Sequence, residues 1–184
     1  CGEYMLYFVP DKGVLNGEFG QFVKVDPNKT YTFSFNYYVR SNNGLRPLIK
    51  YTNSKGVLDN LKPIVTQFDN PKDIEFVYTI TIPKDAKVDE NGMTEIKVGV
   101  KKDVESNGYI SNFKLVEQGK NENLLFNADF KENFKGWMDL KYSTYEKDNV
   151  YKGYLGEVEL MPSIPEYFKV KPDDSNDLIF DDGD

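Results

Sequence analysis

Residues 31–40, "YTFSFNYYVR", alternate polar and apolar side chains along their length. A period of two places Tyr31, Phe33, Phe35, Tyr37 and Val39 on one face of a strand and Thr32, Ser34, Asn36, Tyr38 and Arg40 on the other. One face is core; the other meets solvent. The pattern recurs in residues 74–82, "IEFVYTITI", with Ile74, Phe76, Tyr78, Ile80 and Ile82 inward, and in residues 94–101, "TEIKVGVK", with Ile96, Val98 and Val100 inward. Residues 3–9 supply Tyr4, Leu6 and Phe8 to the core, residues 20–25 supply Val23 and Val25, and residues 108–117 supply Tyr109, Phe113 and Leu115. About seven strands are expected by this rule.

The connecting stretches "VDPNKT", "RSNNGL", "TNSKGVLDN", "IPKDAKVDENGM" and "VESNGY" carry the Gly, Pro, Asn and Asp that turns need. No segment has a helical period. Short strands, each with one apolar and one polar face and no helices between them, predict an all-β antiparallel sandwich.

Composition narrows the function. With 39% hydrophobic and 15% aromatic residues, the 184-residue chain can bury a substantial core. Its net charge of -7 and pI near 4.8 disfavour nucleic acid and anionic membrane surfaces as partners. The sequence contains no run of about 18 apolar residues, and "CGEYMLYFVP" has neither the basic region nor the small-residue site of a signal peptide. Cys1, the sole cysteine, has two readings: a small apolar residue at the edge of a fragment, or the lipid-bearing residue of a lipoprotein.

Catalysis finds little footing. The chain has no His, so a Ser-His-Asp triad and a His metal site are excluded. The carboxylates lie mainly in turns and in the tail, with no pair that the sequence brings together for glycoside hydrolysis. No glycine-rich loop joins a strand to a helix. The reading is a protein that is not an enzyme.

Four stretches carry a resemblance: residues 20–41, "GQFVKVDPNKTYTFSFNYYVRS", residues 49–56, "IKYTNSKG", residues 76–86, "FVYTITIPKDA", and residues 108–117, "GYISNFKLVE". Together they resemble the galactose-binding-like jelly rolls, and among these the carbohydrate-binding modules appended to bacterial xylanases and cellulases. The resemblance spans roughly residues 2–117. Such modules open with a segment like residues 123–137, "NLLFNADFKENFKGW", which here sits two-thirds of the way along the chain.

That displacement sets the domain expectation. Residues 1–119 form a sandwich module lacking its usual opening strand. Residues 120–168 either open a second module or fold back as the strands completing the first, unless they complete it by strand exchange with a second chain. A faint repeat lays residues 156–168, "GEVELMPSIPEYF", beside residues 2–13, "GEYMLYFVPDKG". Residues 169–184, rich in Asp, read as an acidic tail or linker.

The resemblance implies a non-catalytic module that binds a polysaccharide or oligosaccharide, sits outside the cell or on its surface, and tethers a larger protein of an anaerobic Gram-positive bacterium. The competing expectation is a structural or adhesive surface module that contacts proteins. Candidate sugar-binding residues are Asn36, Tyr38 and Arg40 on the polar face of one strand, with Glu75 or Lys97 added by neighbours. A second candidate group is Trp137 with Tyr142, although the family's Trp at this place usually belongs to the core. No cofactor is expected beyond the structural calcium that relatives often carry. Ser111 stands where they place an Asp, leaving Asp129 as the surviving carboxylate.

Overall fold

The computed structural model describes residues 4–8, 17–41, 45–61, 75–102, 107–132, 134–137, 144–146, 150–153 and 156–162, with side chains for 18–38, 46–61, 75–101, 109–132 and 134–137. No helix occurs among them. The strands are β1 (Tyr4–Phe8), β2 (Gly17–Val25), β3 (Thr30–Ser41), β4 (Leu45–Thr52), β5 (Leu58–Asn60), β6 (Glu75–Thr81), β7 (Thr94–Lys102), β8 (Asn107–Glu117), β9 (Thr144–Glu146), β10 (Val150–Gly153) and β11 (Gly156–Pro162). One sheet runs β6-β3-β8-β1-β11-β10-β9, the other β2-β7-β4-β5, and the pairings are antiparallel. The protein is an all-β antiparallel sandwich.

The alternation read from the sequence builds the core. Phe33, Phe35, Tyr37, Ile80 and Ile110 from the first sheet meet Phe19, Ile49, Ile96, Val98 and Val100 from the second. The turns form as their residues dictate. The Asp26 side chain accepts the Asn28 amide at 2.9 Å, and Asp89 accepts those of Asn91 and Met93 at 2.8 and 3.0 Å.

β4 is an addition to the strands expected from alternation. Pro47 interrupts its pattern and has no N–H for a ladder. Among the described residues β5 pairs with Lys50–Thr52 and no strand faces Pro47 on that side of β4, where a missing N–H is tolerated.

Tyr109 is buried as expected, at 3% exposure, but outside the main cluster, in which Ile110 joins Phe113 and Leu115. A bulge is the cause: Ser34 faces Lys114 but Asn36 faces Ser111, so β8 spends an extra residue against Phe35. Asn112 sits there at φ 61°, a left-handed conformation Asn tolerates well, and the alternation reverses across it.

Residues 123–137 fold as a series of turns rather than a strand, and pack into the core of this same chain. Asn123 grips β8 beyond the reach of β1: its Oδ1 accepts the Leu115 amide at 3.0 Å and its Nδ2 donates to the Phe113 carbonyl at 3.0 Å. Gln21 of β2 donates to the Phe126 carbonyl at 3.0 Å and accepts the Phe126 amide at 2.9 Å. These bonds deliver Leu125, Phe130, Phe134 and Trp137 to the core. Phe130 adopts φ 59°, strained for a bulky side chain and held by the burial of its ring. The two similar segments also meet: β1 and β11 are antiparallel neighbours, with Leu6 opposite Leu160.

Candidate functional site

The sequence-expected groups scatter. Asn36 lies opposite Glu75 and Ser111 on the outer side of the seven-stranded sheet. Tyr38, in register with Tyr109, is only 4% exposed, so its ring offers little surface to a ligand. Arg40 lies in β3 with its side chain outside the described residues, and Tyr142 is outside them altogether. Lys97 does not neighbour Asn36. It belongs to β7, paired with β2 and β4 in the other sheet, because strand order crosses over in a way that local pattern does not encode.

Trp137 is 3% exposed and sits inside the core. Its indole stacks on Phe19 with centroids 5.2 Å apart, and its Nε1 donates to the Asn127 carbonyl at 2.8 Å. This is the core position that the resemblance implies for the Trp of the opening segment.

A different face assembles the chemistry that sugar recognition needs. On the outer side of the four-stranded sheet, register sets side chains from β4, β7 and β2 in rows: Arg46, Lys101 and Glu18; then Leu48, Gly99 and Gly20; then Lys50, Lys97 and Phe22; then, from β7 and β2, Glu95 and Lys24. The glycine row is closely filled: a methyl on Gly20 would come within 2.6 Å of the Val98 carbonyl oxygen and 3.2 Å of Leu48 Cδ2, so the adjoining strand and the Leu48 side chain occupy that space.

Glu18 reaches across the glycine row to the next row. Its two carboxylate oxygens each lie 2.8 Å from an ammonium, Oε2 from Lys50 and Oε1 from Lys97. Burial alone would raise its pKa, but the two lysine hydrogen bonds and charges together outweigh burial and hold it below the usual carboxylate value.

Phe22 projects from this surface with 49% of its area exposed. The Lys97 ammonium sits 5.3 Å from its ring centroid. At the far row, Lys24 pairs with Asp89 at 3.0 Å beside a small pocket of about 170 Å³ lined by Lys24, Thr52, Lys87, Asp89 and Glu95. An accessible ring ringed by hydrogen-bonding and charged groups can stack on the apolar face of a pyranose and bond its hydroxyls. The alternation that turns Val23 and Val25 inward turns Phe22 outward, which makes it an apolar residue at a solvent position.

No family model matches the sequence, and no curated protein matches it. Among solved structures, the chain is similar to the carbohydrate-binding module of PbXyn10C in its apo form, at a TM-score of 0.44 and 14% identity over 88% of this chain and 91% of that one. It is also similar to accessory secretory protein 1, 2 and 3 of Streptococcus pneumoniae, at a TM-score of 0.38 and 13% identity over 61% of this chain and 78% of that one. At these TM-scores neither likeness bears on function.

Residues 123–132 border a second groove, about 470 Å³, lined in part by Asn112, Asn123, Asn127, Asp129 and Glu132. Its polar groups are largely spent on the fold. Asn123 holds β8, the Asn127 Oδ1 accepts the Glu132 amide at 2.9 Å, and Asp129 accepts the Lys131 amide at 3.2 Å with the Lys131 ammonium 3.7 Å away. Among the described residues no three Asp, Glu, Cys or His side chains gather in one group.

Proposed function

We propose that this protein is a non-catalytic carbohydrate-binding module whose site is the outer face of the four-stranded sheet, with Phe22 as the stacking platform. The observation that carries the reading is the exposed Phe22 ring set beside Lys97 and the Glu18 carboxylate. An isolated surface phenylalanine is ordinary. One that shares its row with two lysines bridged by a carboxylate has the mixed apolar and polar character of a sugar site. The sequence resemblance to xylanase- and cellulase-linked modules supports the same reading, along with an extracellular or cell-surface setting and a tethering role.

Affinity electrophoresis in native gels cast with xylan, β-glucan, mannan or pectin tests it. Retardation by at least one polysaccharide, lost in Phe22→Ala with the fold intact, is the expected result. Wild-type mobility that no polysaccharide changes would sink the reading.

The second reading, a structural or adhesive module, draws on the opposite face. There Ser34 faces Val77 on β6 and Lys114 on β8, and Val77 is 55% exposed on the same strand as Glu75, Thr79 and Thr81. Such a face suits contact with another protein more than a sugar ring.

A further inference from the structure

We propose that the cleft between β5 and β6 is a second ligand site, separate from the Phe22 face, that takes a compact neutral polyol of mono- or disaccharide size.

Among the described strands β5 stands at one end of its sheet and β6 at one end of the other. Tyr51, Asp59 and Asn60 from the first sheet, with Thr81, Ile82, Pro83 and Lys84 at the end of β6 and just beyond it, line a cleft of about 760 Å³. Small-molecule pockets run from roughly 300 to 1,000 Å³, so the volume fits. The walls are fixed. The turn after β6 is tied to the end of β4 by the Lys87 amide donating to the Thr52 carbonyl at 2.8 Å, by the bridge between Asn53 and Ala86, and by Tyr51 Oη donating to Asp85 at 2.8 Å. Tyr51 and Ile82, both buried, and the half-buried Pro83 give the cleft an apolar lining.

The ladders decide which backbone groups reach the open side. In an antiparallel pair, residues alternate between those bonded across and those whose N–H and C=O point away. The Leu61 amide donates to the Ile49 carbonyl and the Asn53 amide to the Val57 carbonyl, so the alternate residue Asn60 turns its own amide and carbonyl away from β4. On the other sheet the Thr30 carbonyl accepts the Gln118 amide on the β8 side, so Thr30 is not bonded to Thr81, its partner in register. Thr81 therefore turns its amide and carbonyl away from β3. Each sheet thus offers the cleft one donor and one acceptor. Asp59, opposite Tyr51 in register, adds a carboxylate whose Oδ2 accepts from Asn53 at 2.6 Å, and Lys84 adds an exposed ammonium.

Donors and acceptors around an apolar lining suit hydroxyl groups, which serve as both. A carboxylate ligand would meet Asp59, and a cation would meet Lys84. A peptide adding to a sheet edge needs a row of outward backbone groups. Asn60 and Thr81 are each the last residue of their strand, so each supplies one pair rather than a row.

Amide-resolved NMR of the whole isotope-labelled chain, titrated with glucose, xylose, galactose, mannose, cellobiose or xylobiose, tests the site. At least one of these sugars should shift the Asn60 and Thr81 amides saturably. Asp59→Ala should weaken that binding about tenfold, the scale of one hydrogen bond to a charged group. Lys84→Ala, at an exposed position, should weaken it about threefold. In a Phe22→Ala background, from which the first site is missing, the shifts should persist.

No movement of the two amides with any of these sugars would overturn the site. So would variants of Asp59 and Lys84 that bind as well as wild type with the rest of the spectrum unchanged. Shifts that vanish in the Phe22→Ala background would reduce the protein to one site and leave the Phe22 reading standing. Stronger binding of galacturonate than of galactose would overturn a neutral ligand. Serial shifts of Val77, Thr79 and Thr81 with a neutral alanine peptide, and none with sugars, would assign the edge to strand addition instead.

Discussion

The indole of Trp137 lies parallel to the ring of Phe19, their centroids 5.2 Å apart and their planes at 4°. Phe113, at 4.7 Å, and Phe130, at 5.5 Å, complete the surroundings of the indole. Removing it empties a site in a packed aromatic cluster, and large-to-Ala changes of this kind cost about 3–5 kcal/mol. Trp137→Ala should lower the urea midpoint accordingly. The native protein, with this single tryptophan, should emit at short wavelength and shift to the red on unfolding.

The reciprocal pair between the Gln21 side chain and the Phe126 backbone predicts a penalty for changing one atom. Gln21→Glu keeps the acceptor for the Phe126 amide but replaces the Nε2 donor by an oxygen facing the Phe126 carbonyl. A buried acceptor left unsatisfied costs about 1–3 kcal/mol. Chemical denaturation near neutral pH should register the loss, and lowering the pH until the new carboxyl is protonated should recover part of it.

Gly99→Ala should destabilise although Ala is the better strand residue. The added methyl would run into the Phe19 carbonyl oxygen and the Gly20 Cα on the neighbouring strand, contacts that only a backbone shift relieves. Overpacking typically costs about 1–3 kcal/mol. A thermal midpoint for Gly99→Ala equal to that of wild type would mean that β2 and β7 lie further apart than described.

Tyr51 donates to the Asp85 carboxylate at 2.8 Å. That hydrogen bond, aided by burial and by the charges of Asp85 and Asp59, pushes its pKa up to about 12. A raised folded-state value means that the stabilisation is complete below the unfolded tyrosine's pKa near 10 and is lost as pH climbs toward 12. The pKa values of Tyr31 and Tyr78 are also raised by burial, so absorbance at alkaline pH should show late-titrating tyrosines, and Tyr51→Phe should remove the step that titrates near 12.

Acid acts on Glu18 in the opposite sense. Its pKa is lowered in the folded state, so its contribution is present above the ordinary carboxylate value and falls away as pH drops through the folded one. A double-mutant cycle of Glu18→Gln with Lys97→Gln should give a coupling of about 1 kcal/mol or less near neutrality, as for partly exposed pairs. The coupling should vanish in strong acid.

Much of the sandwich was legible because its signal is local. Phe33, Phe35, Ile80, Ile96 and Val98 entered the core as their alternation required, since side-chain period and strand geometry are the same property. What failed to read out depends on distant partners. The bulge at Asn112 moved Tyr109 out of the main core by altering register with β3, which no window of β8 reveals. Lys97 went to the opposite sheet because strand order is a matter of topology. Phe22 is an apolar residue at an outward position, a violation of the pattern that was itself the clue to the candidate site.

The plug formed by residues 123–137 bears on how the chain reaches this state. Phe19 and Phe113 find their aromatic partners more than 100 and more than 10 residues downstream respectively, and β1 completes its place in the sheet only when β11 arrives about 150 residues later. During synthesis the N-terminal strands therefore emerge without the groups that cover them. Loop-closure entropy must be met before these distant contacts reward it, which predicts slow folding and a ribosome-bound intermediate with wet aromatic surface. A truncation before residue 123 would halt at that intermediate.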